Sequence, residues 1–532
     1  MPAALILLVP AISAVQARMN RIRDEAKLTE TDVLHNAPPM VAFTTVALGS
    51  FRGLVADYLW LYSRRMQDEG NYFEMVQLAS WIVKLQPRFT GAHAFLAWNM
   101  AYNISVTFND PADRWRWVQR GIELIRDEAL DYNPGDPELF KELGWIYQHK
   151  LGQEMDDANR YYKFQLAREM LTVFGTYPPD WERWAASPPD EASLRHALGP
   201  AAAALDAGLA AKGLTLGELE KQFRSQPALP ADLLDAPQQA EARATVDVWL
   251  RVRWLRDRWK LDAGAIRDLN ARYGDLDWRL PEAHALYWAT KGLEQAEDQT
   301  QLACERMVFQ SLSNAFRGGR VVYLGNVGEL EVSPNTSVVD AVNEQYLATQ
   351  GKHEKNQSIR AGYENFLIDA VVTLYTFGQE RKAAEYYGKL KEGFPGPKYR
   401  RALDEFALNE LAGDIASATF DQAHGIVQGY LFQTLYALAL GEDDRAEAYD
   451  RISRRCWDKY MDGLGSDRTR GRRGLPEFEQ MKRTMLKRCL DAFPEPLKSR
   501  LRQAAQASGI DLANLPEETT VSPDAPPIDR AP

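Results

Sequence analysis

The sequence predicts an all-α protein, and three observations predict it. Long stretches place apolar residues at three- and four-residue spacing, with Ala, Glu, Gln, Lys and Arg between them, the pattern of amphipathic helices. Alternating strand-like runs are nearly absent; the exception is residues 320–332, RVVYLGNVGELEV, which reads either as a hairpin about Gly325-Asn326 or as a long inter-helix loop. Hydrophobic residues make up 45% of the chain and charged residues 26%, enough apolar side chain for a core. The 532 residues amount to several domains' worth of chain or one extended repeat array. A net charge of -11 argues against a general nucleic-acid binder. Three cysteines exclude a disulfide-dense scaffold and any zinc site built on four thiolates. The absence of long uninterrupted apolar runs excludes a multi-span membrane protein.

Residues 3–15, AALILLVPAISAV, form an apolar run too short to span a bilayer comfortably. The run resembles the central region of a signal peptide, with Val15-Gln16-Ala17 as an acceptable cleavage site. No basic residue precedes it; Arg18, Arg21, Arg23 and Lys27 follow it. The segment therefore reads as a signal or membrane anchor, with an ordinary buried first helix as the alternative.

Further along, the chain repeats itself. Residues 69–87 read EGNYFEMVQLASWIVKLQP: a turn at Gly70, a helix opened by Tyr72, and a stop at Pro87. The preceding helix, 54–68, offers Leu59, Tyr62, Ser63 and Met66 to it. A second unit starts near Thr90, with Leu96-Ala97 as a large-then-small pair. Its second helix is delayed by 106–112 and ends at Pro134, after Ala129, Leu130 and Tyr132. A third begins with DPELFKELGWIYQHKLG, whose Phe140, Leu143, Gly144 and Tyr147 carry the clearest first helix of the series. Downstream, Gly378, Ala383, Tyr387 and Pro395 keep the phase of the first unit, and Gly441 and Ala446 begin a weaker copy. These units resemble the tetratricopeptide repeat (TPR), over roughly half of the chain. The resemblance implies a right-handed superhelix of stacked helical hairpins, each burying its face only against its neighbours.

The array is interrupted between 175 and 245, a Pro/Ala-rich insertion or inter-lobe linker with short helices, among them one capped by Thr215 with Glu218 three residues on. The expected organisation is a signal or anchor segment at 1–27, an N-terminal lobe at 28–174, the insertion at 175–245, a C-terminal helical lobe at 246–510, and a disordered acidic tail at 511–532.

No residue pattern points to catalysis. The seven histidines include none three to five residues from another His or a Cys, so no metal site is expected. No CxxC, GxxxxGK[ST], GxSxG or strand-bound GxGxxG occurs, and no cofactor or small-molecule substrate is expected. Asp156-Asp157 reads as a surface pair. Cys456 and Cys489, one repeat length apart, are either a pair or buried free thiols. Arg-Trp stretches at 114–117 and 249–260 read as amphipathic helices with solvated or salt-bridged faces, or as binding surfaces. A basic stretch at 466–488 would suit an acidic lipid or nucleic acid, the latter opposed by the acidic whole.

In the TPR resemblance, ligands lie on the concave face, lined by first helices. The phase implies Trp60, Arg64 and Asp68 there from the first unit, Phe95, Trp98 and Tyr102 from the second, and Lys141, Trp145 and His149 from the third. The family's carboxylate-clamp pattern of Lys and Asn is not met, so an apolar helix or extended segment is the expected partner. The sequence thus reads as a non-catalytic scaffold for protein–protein assembly at a bacterial membrane or outside the cytoplasm. A soluble cytoplasmic adaptor is the alternative, followed by an enzyme whose site is assembled from dispersed residues.

Overall fold

A computed structural model describes residues 15, 17–19, 21–22, 51–153, 156–325, 330–353, 355–413, 415–464, 474–507, 512 and 515. Most of the expected signal or anchor segment, the part of the basic stretch before residue 474 and most of the acidic tail lie outside these residues. The described chain is almost wholly helical, with a single two-stranded sheet among the described residues. It divides into two compact units, residues 1–146 with 291–300 and residues 147–290 with 301–532.

The first unit contains α1 (Phe51–Asp68), α2 (Tyr72–Leu85), α3 (Thr90–Trp98), α4 (Pro111–Glu123) and α5 (Pro137–Trp145). Met66 of α1 packs with Met75 and Leu78 of α2, and Ala56 and Ser63 of α1 and Ala79 and Ile82 of α2 are buried as well. Helices α3, α4 and α5 each run on into a π-helical turn, at Asn99–Ile104, Leu124–Ala129 and Ile146–Leu151. Helices α4 and α5 begin alike. Asp110 and Asp136 accept the first free backbone N–H groups, from Ala112 (3.1 Å) and from Glu138 and Leu139 (2.9 and 3.1 Å), and a proline occupies the next position. Gly121 brings α4 against α3: a Cβ there would lie 2.8 Å from the Ala97 carbonyl oxygen.

The second unit follows with α6 (Asn159–Phe174) and four short helices, α7 (Trp181–Ala185), α8 (Glu191–Leu198), α9 (Ala201–Ala211) and α10 (Leu216–Ser225). Thr215 and Glu218 cap α10 reciprocally: the Thr215 hydroxyl accepts the Glu218 N–H (3.2 Å) and the Glu218 carboxylate accepts the Thr215 N–H (2.7 Å). Next comes α11 (Ala240–Trp259), whose Val246, Trp249 and Leu250 share one core with Leu194, Leu205, Leu219 and Phe223 of the short helices. The arginines of α11 hold the same region from outside. Arg243 donates to the carbonyls of Leu229, Pro230 and Leu233, and Arg251 to those of Thr172, Val173 and Pro227. Arg253 pairs with Glu220 at 3.1 Å. Of the two readings of this Arg-Trp stretch, the salt-bridged amphipathic helix describes these contacts.

Beyond it lie α12 (Ala263–Tyr273), α13 (Pro281–Leu293) and α14 (Asp298–Gly318). The 320–332 stretch is a hairpin: β1 (Arg320–Leu324) pairs antiparallel with β2 (Leu330–Ser333), Val321 opposite Val332 and Leu324 opposite Leu330, with an irregularity between Val321 and Tyr323. The remainder is helical: α15 (Val339–Lys352), α16 (Gln357–Thr376), α17 (Glu380–Gly393), α18 (Leu403–Ala412), α19 (Phe420–Leu440), α20 (Asp443–Gly463), α21 (Phe478–Ala492) and α22 (Glu495–Ala507).

Among the described residues, three helix pairs, α1/α2, α16/α17 and α19/α20, are the most extensively packed neighbours, and the same kind of turn closes each of them. At Gly70, Gly378 and Gly441 the backbone is left-handed (φ +76°, +72° and +78°). Each glycine N–H reaches the carbonyl three residues back (Gln67, Tyr375, Leu438), and the following N–H reaches the carbonyl five back (Met66, Leu374, Ala437). That is the Schellman closure, in which glycine carries no steric penalty for positive φ. The next helix starts two residues after each glycine. No atom lies within 4 Å of a Cβ added at Gly441. Gly441→Ala is therefore expected to cost about 1–2 kcal/mol from backbone strain alone, read as a lowered denaturant midpoint.

Asp156, expected on the surface, is not there: its side chain is 7% exposed and pairs at 2.5 Å with buried Lys150. It also accepts from the Tyr162 hydroxyl (3.2 Å) and the Ala158 N–H (2.9 Å), so the apparent acidic doublet divides into an inward and an outward residue. Cys304, Cys456 and Cys489 are buried free thiols. Burial pushes Cys456 up to about 11 and Cys489 up to about 12, so both stay protonated at neutral pH.

Candidate functional site

Four of the five aromatic residues picked out by repeat phase fall into two contacts in the first unit. Trp60 meets Phe95 edge-on at 4.8 Å between ring centroids, and the Arg64 guanidinium lies over the Phe95 ring at 5.5 Å. Phe89, in the link between α2 and α3, closes on Trp60 at 5.6 Å. One turn further along α3, Trp98 stacks on Tyr102 at 5.4 Å. The π-helical turn after α3 carries Tyr102, and burial, with Glu142 nearby, pushes its hydroxyl far above the usual phenol range. Glu142 also pairs with Lys141 at 3.0 Å, and Glu138 holds the same ammonium. Lys141 is thus part of a small ion cluster on α5, next to α3. Trp145 ends α5 and is 37% exposed; Trp98 is 38% exposed. Asp68 ends α1 and is exposed. His149 belongs to the second unit, where burial, then neighbouring Lys150, lowers its proton affinity.

A further aromatic group escaped the phase argument. Phe73 of α2, 57% exposed, meets Trp117 at 5.8 Å and Phe108 at 6.2 Å, both edge-on. Phe108 sits in the delayed link and Trp117 on a second helix, so a search along first helices passes over both. The 114–117 stretch belongs to this packing. Trp115 is buried, Arg114 donates to the Phe108 carbonyl at 2.7 Å, and Arg116 pairs with Asp113 at 2.7 Å.

The second unit holds a cleft of about 910 Å³, lined among others by Tyr177, Asp277, Arg279, Arg320, Glu442 and Arg445. Five of its charged groups are engaged with one another, while Asp275, Asp443 and Asp444 on its lining are exposed. Both Asp277 oxygens accept from Arg279 (2.9 and 2.7 Å), and Arg279 lies 4.0 Å over the Tyr177 ring. Glu442 accepts from Arg320 and from Arg445 (2.6 Å). Elsewhere in this unit the buried Glu305 carboxylate accepts from Lys352 at 2.7 Å and lies 3.0 Å from His353 Nε2, contacts that hold it below the usual carboxylate range against its burial. Two other histidines are core residues: His93 packs fully buried with Nδ1 3.1 Å from the Phe89 carbonyl, and His284 stacks on Tyr147 with Nε2 3.0 Å from the Trp278 carbonyl. Among the described residues, no group of three or more His, Cys, Asp or Glu could hold a metal ion. No described helix is long and apolar enough to cross a membrane.

No family model matches this chain, and no curated protein matches it.

Proposed function

We propose that the protein is a non-catalytic scaffold of TPR-like helical hairpins, stacked as a right-handed superhelix, that holds a protein or peptide partner at a bacterial membrane or envelope. The observation that carries the partner reading is the exposed aromatic surface of the first unit. Trp98 and Trp145 are more than a third open to water, and Trp98 lies one turn along α3 from the Phe95 that meets Trp60 and Arg64. Large rigid rings left in solvent gain most from an apolar helix or extended segment laid across them. The three matching Schellman hairpins support the repeat architecture. The enzyme alternative would place its chemistry in the second-unit cleft, where Asp277 and Glu442 are each held by arginine.

The test is affinity purification of a tagged chain from soluble and detergent-solubilised membrane fractions, with and without Trp98→Ala plus Trp145→Ala. Loss of about 2 kcal/mol, roughly 30-fold in Kd, for a co-purifying protein at unchanged melting temperature is expected. Undiminished recovery with the double variant would sink the aromatic surface as the partner site.

A further inference from the structure

The cleft of the second unit carries negative charge that the chain leaves unanswered. Its lining holds five carboxylates against three arginines. All three arginines are taken: Arg279 by Asp277, and Arg320 and Arg445 by Glu442. Asp275, Asp443 and Asp444 are exposed, and none of them pairs with a cation among the described residues. The lining therefore has two negative charges in excess. Asp443 and Asp444 stand in the first turn of α20, where the helix dipole favours an anion. Asp275 has no such account. It lies two residues beyond the last residue of α12, at the carbonyl end, where the dipole disfavours an anion.

The walls that share the cleft with these acids are aromatic. Two of the rings already carry cations of the chain itself: Arg279 lies over Tyr177 at 4.0 Å, and Arg445 over Phe377 at 5.5 Å. The third ring of the lining, Trp181, is half-buried and packs edge-on against Trp184 and Trp278. Among the described residues no cation lies over it. Open carboxylates and an uncovered indole in one cleft suit an ammonium or guanidinium group, which gains from the charge and from the ring face.

The size of the cleft bears on what carries that group. At about 910 Å³ it stands at the upper end of the range for small-ligand sites, more than a single cationic side chain fills. Its uncharged polar groups suit a main chain: Ser337 is exposed, and Gln379 donates to the Thr336 hydroxyl at 2.9 Å, which leaves its carboxamide oxygen to accept an N–H.

We propose that the second-unit cleft binds an extended basic peptide segment of a partner, with Arg or Lys side chains set against Asp275, Asp443, Asp444 and the Trp181 ring. This site is distinct from the aromatic surface of the first unit and does not rest on it.

The test is isothermal titration of the full chain, at low salt, with an acetylated and amidated Gly-Arg-Gly-Arg-Gly peptide. A peptide with citrulline in place of arginine keeps the shape and removes the charge. The expected result is saturable binding of one arginine peptide per chain and none of the citrulline peptide. Asp275→Asn, Asp443→Asn and Asp444→Asn together should weaken binding about tenfold at an unchanged melting temperature. Asp235→Asn with Asp491→Asn, two exposed acids outside the lining, should leave it unchanged. Equal weakening by both sets would show attraction to the net charge of -11 alone and would overturn the proposal. Absence of saturable binding of the arginine peptide would overturn it as well. Spermidine that binds as tightly as the peptide and displaces it would assign the cleft to small polyamines, and the peptide reading would fall.

Discussion

Replacing Asp277 with alanine is expected to cost about 3–5 kcal/mol, the range for removing one partner of a buried ion pair. The carboxylate is 5% exposed and does two things at once. It holds Arg279 through both oxygens, and it accepts the buried Val321 N–H of β1 at 2.8 Å. Without it, the Arg279 guanidinium stays against Tyr177 with its charge uncompensated, and a strand N–H loses its acceptor. Tyr177 belongs to the same knot: its hydroxyl donates to the Leu276 carbonyl (3.0 Å) and accepts the Trp278 N–H (2.8 Å). The turn at 275–280, the hairpin and the cleft wall should therefore loosen together. Urea denaturation measures the cost, and a double-mutant cycle with Arg279→Met apportions it. Removing both charges should recover part of the loss, since no buried charge is then stranded. A cost below about 1 kcal/mol for Asp277→Ala would contradict the buried-pair account.

Trp249→Ala is the second large effect, about 3–5 kcal/mol, from a cavity in a core that cannot close over a missing indole. Trp249 is fully buried among the leucines of α8–α10 and Phe223, the main apolar tie between the short helices and α11. Trp249→Phe should cost less than half as much, because most of the ring remains. The locality of the damage separates this from general destabilisation. Limited proteolysis of the alanine variant should cut first within 186–236, ahead of cleavage in α16–α20. Simultaneous cutting throughout the chain would show that the short helices share stability with the rest and do not depend on this tryptophan in particular.

The features legible in the sequence are those made by residues close together along it. The glycines at 70, 378 and 441 stand out because a Schellman turn is complete within six residues. The Thr215–Glu218 cap is local in the same way. Asp277 could not be singled out: its strand partner Val321 lies 44 residues on, and the segment around it reads only as a turn before a helix. The arginines of α11 show the same limit. Helical periodicity places Arg251 off the apolar stripe, but its acceptors are backbone carbonyls 78 and 79 residues earlier, which no side-chain pattern encodes. Asp156 was misplaced because its buried lysine partner cannot be read from an adjacent pair of acids. In the candidate site, repeat phase picked out Trp60, Phe95, Trp98 and Tyr102. It passed over Phe89, Phe73, Phe108 and Trp117, which occupy links and second helices where the phase makes no demand.

The shared hairpin turn has a consequence for how the chain comes off the ribosome. The pair α19/α20 occupies residues 420–463, and α1/α2 occupies 51–85. Each closes over a loop of only a few residues, so docking demands little chain entropy and needs no distant segment. Such a pair can form while the residues after it are still being synthesised. Hydrogen exchange in the finished protein would then report three separately protected segments, each centred on one glycine, with opening energies of their own and no single global value.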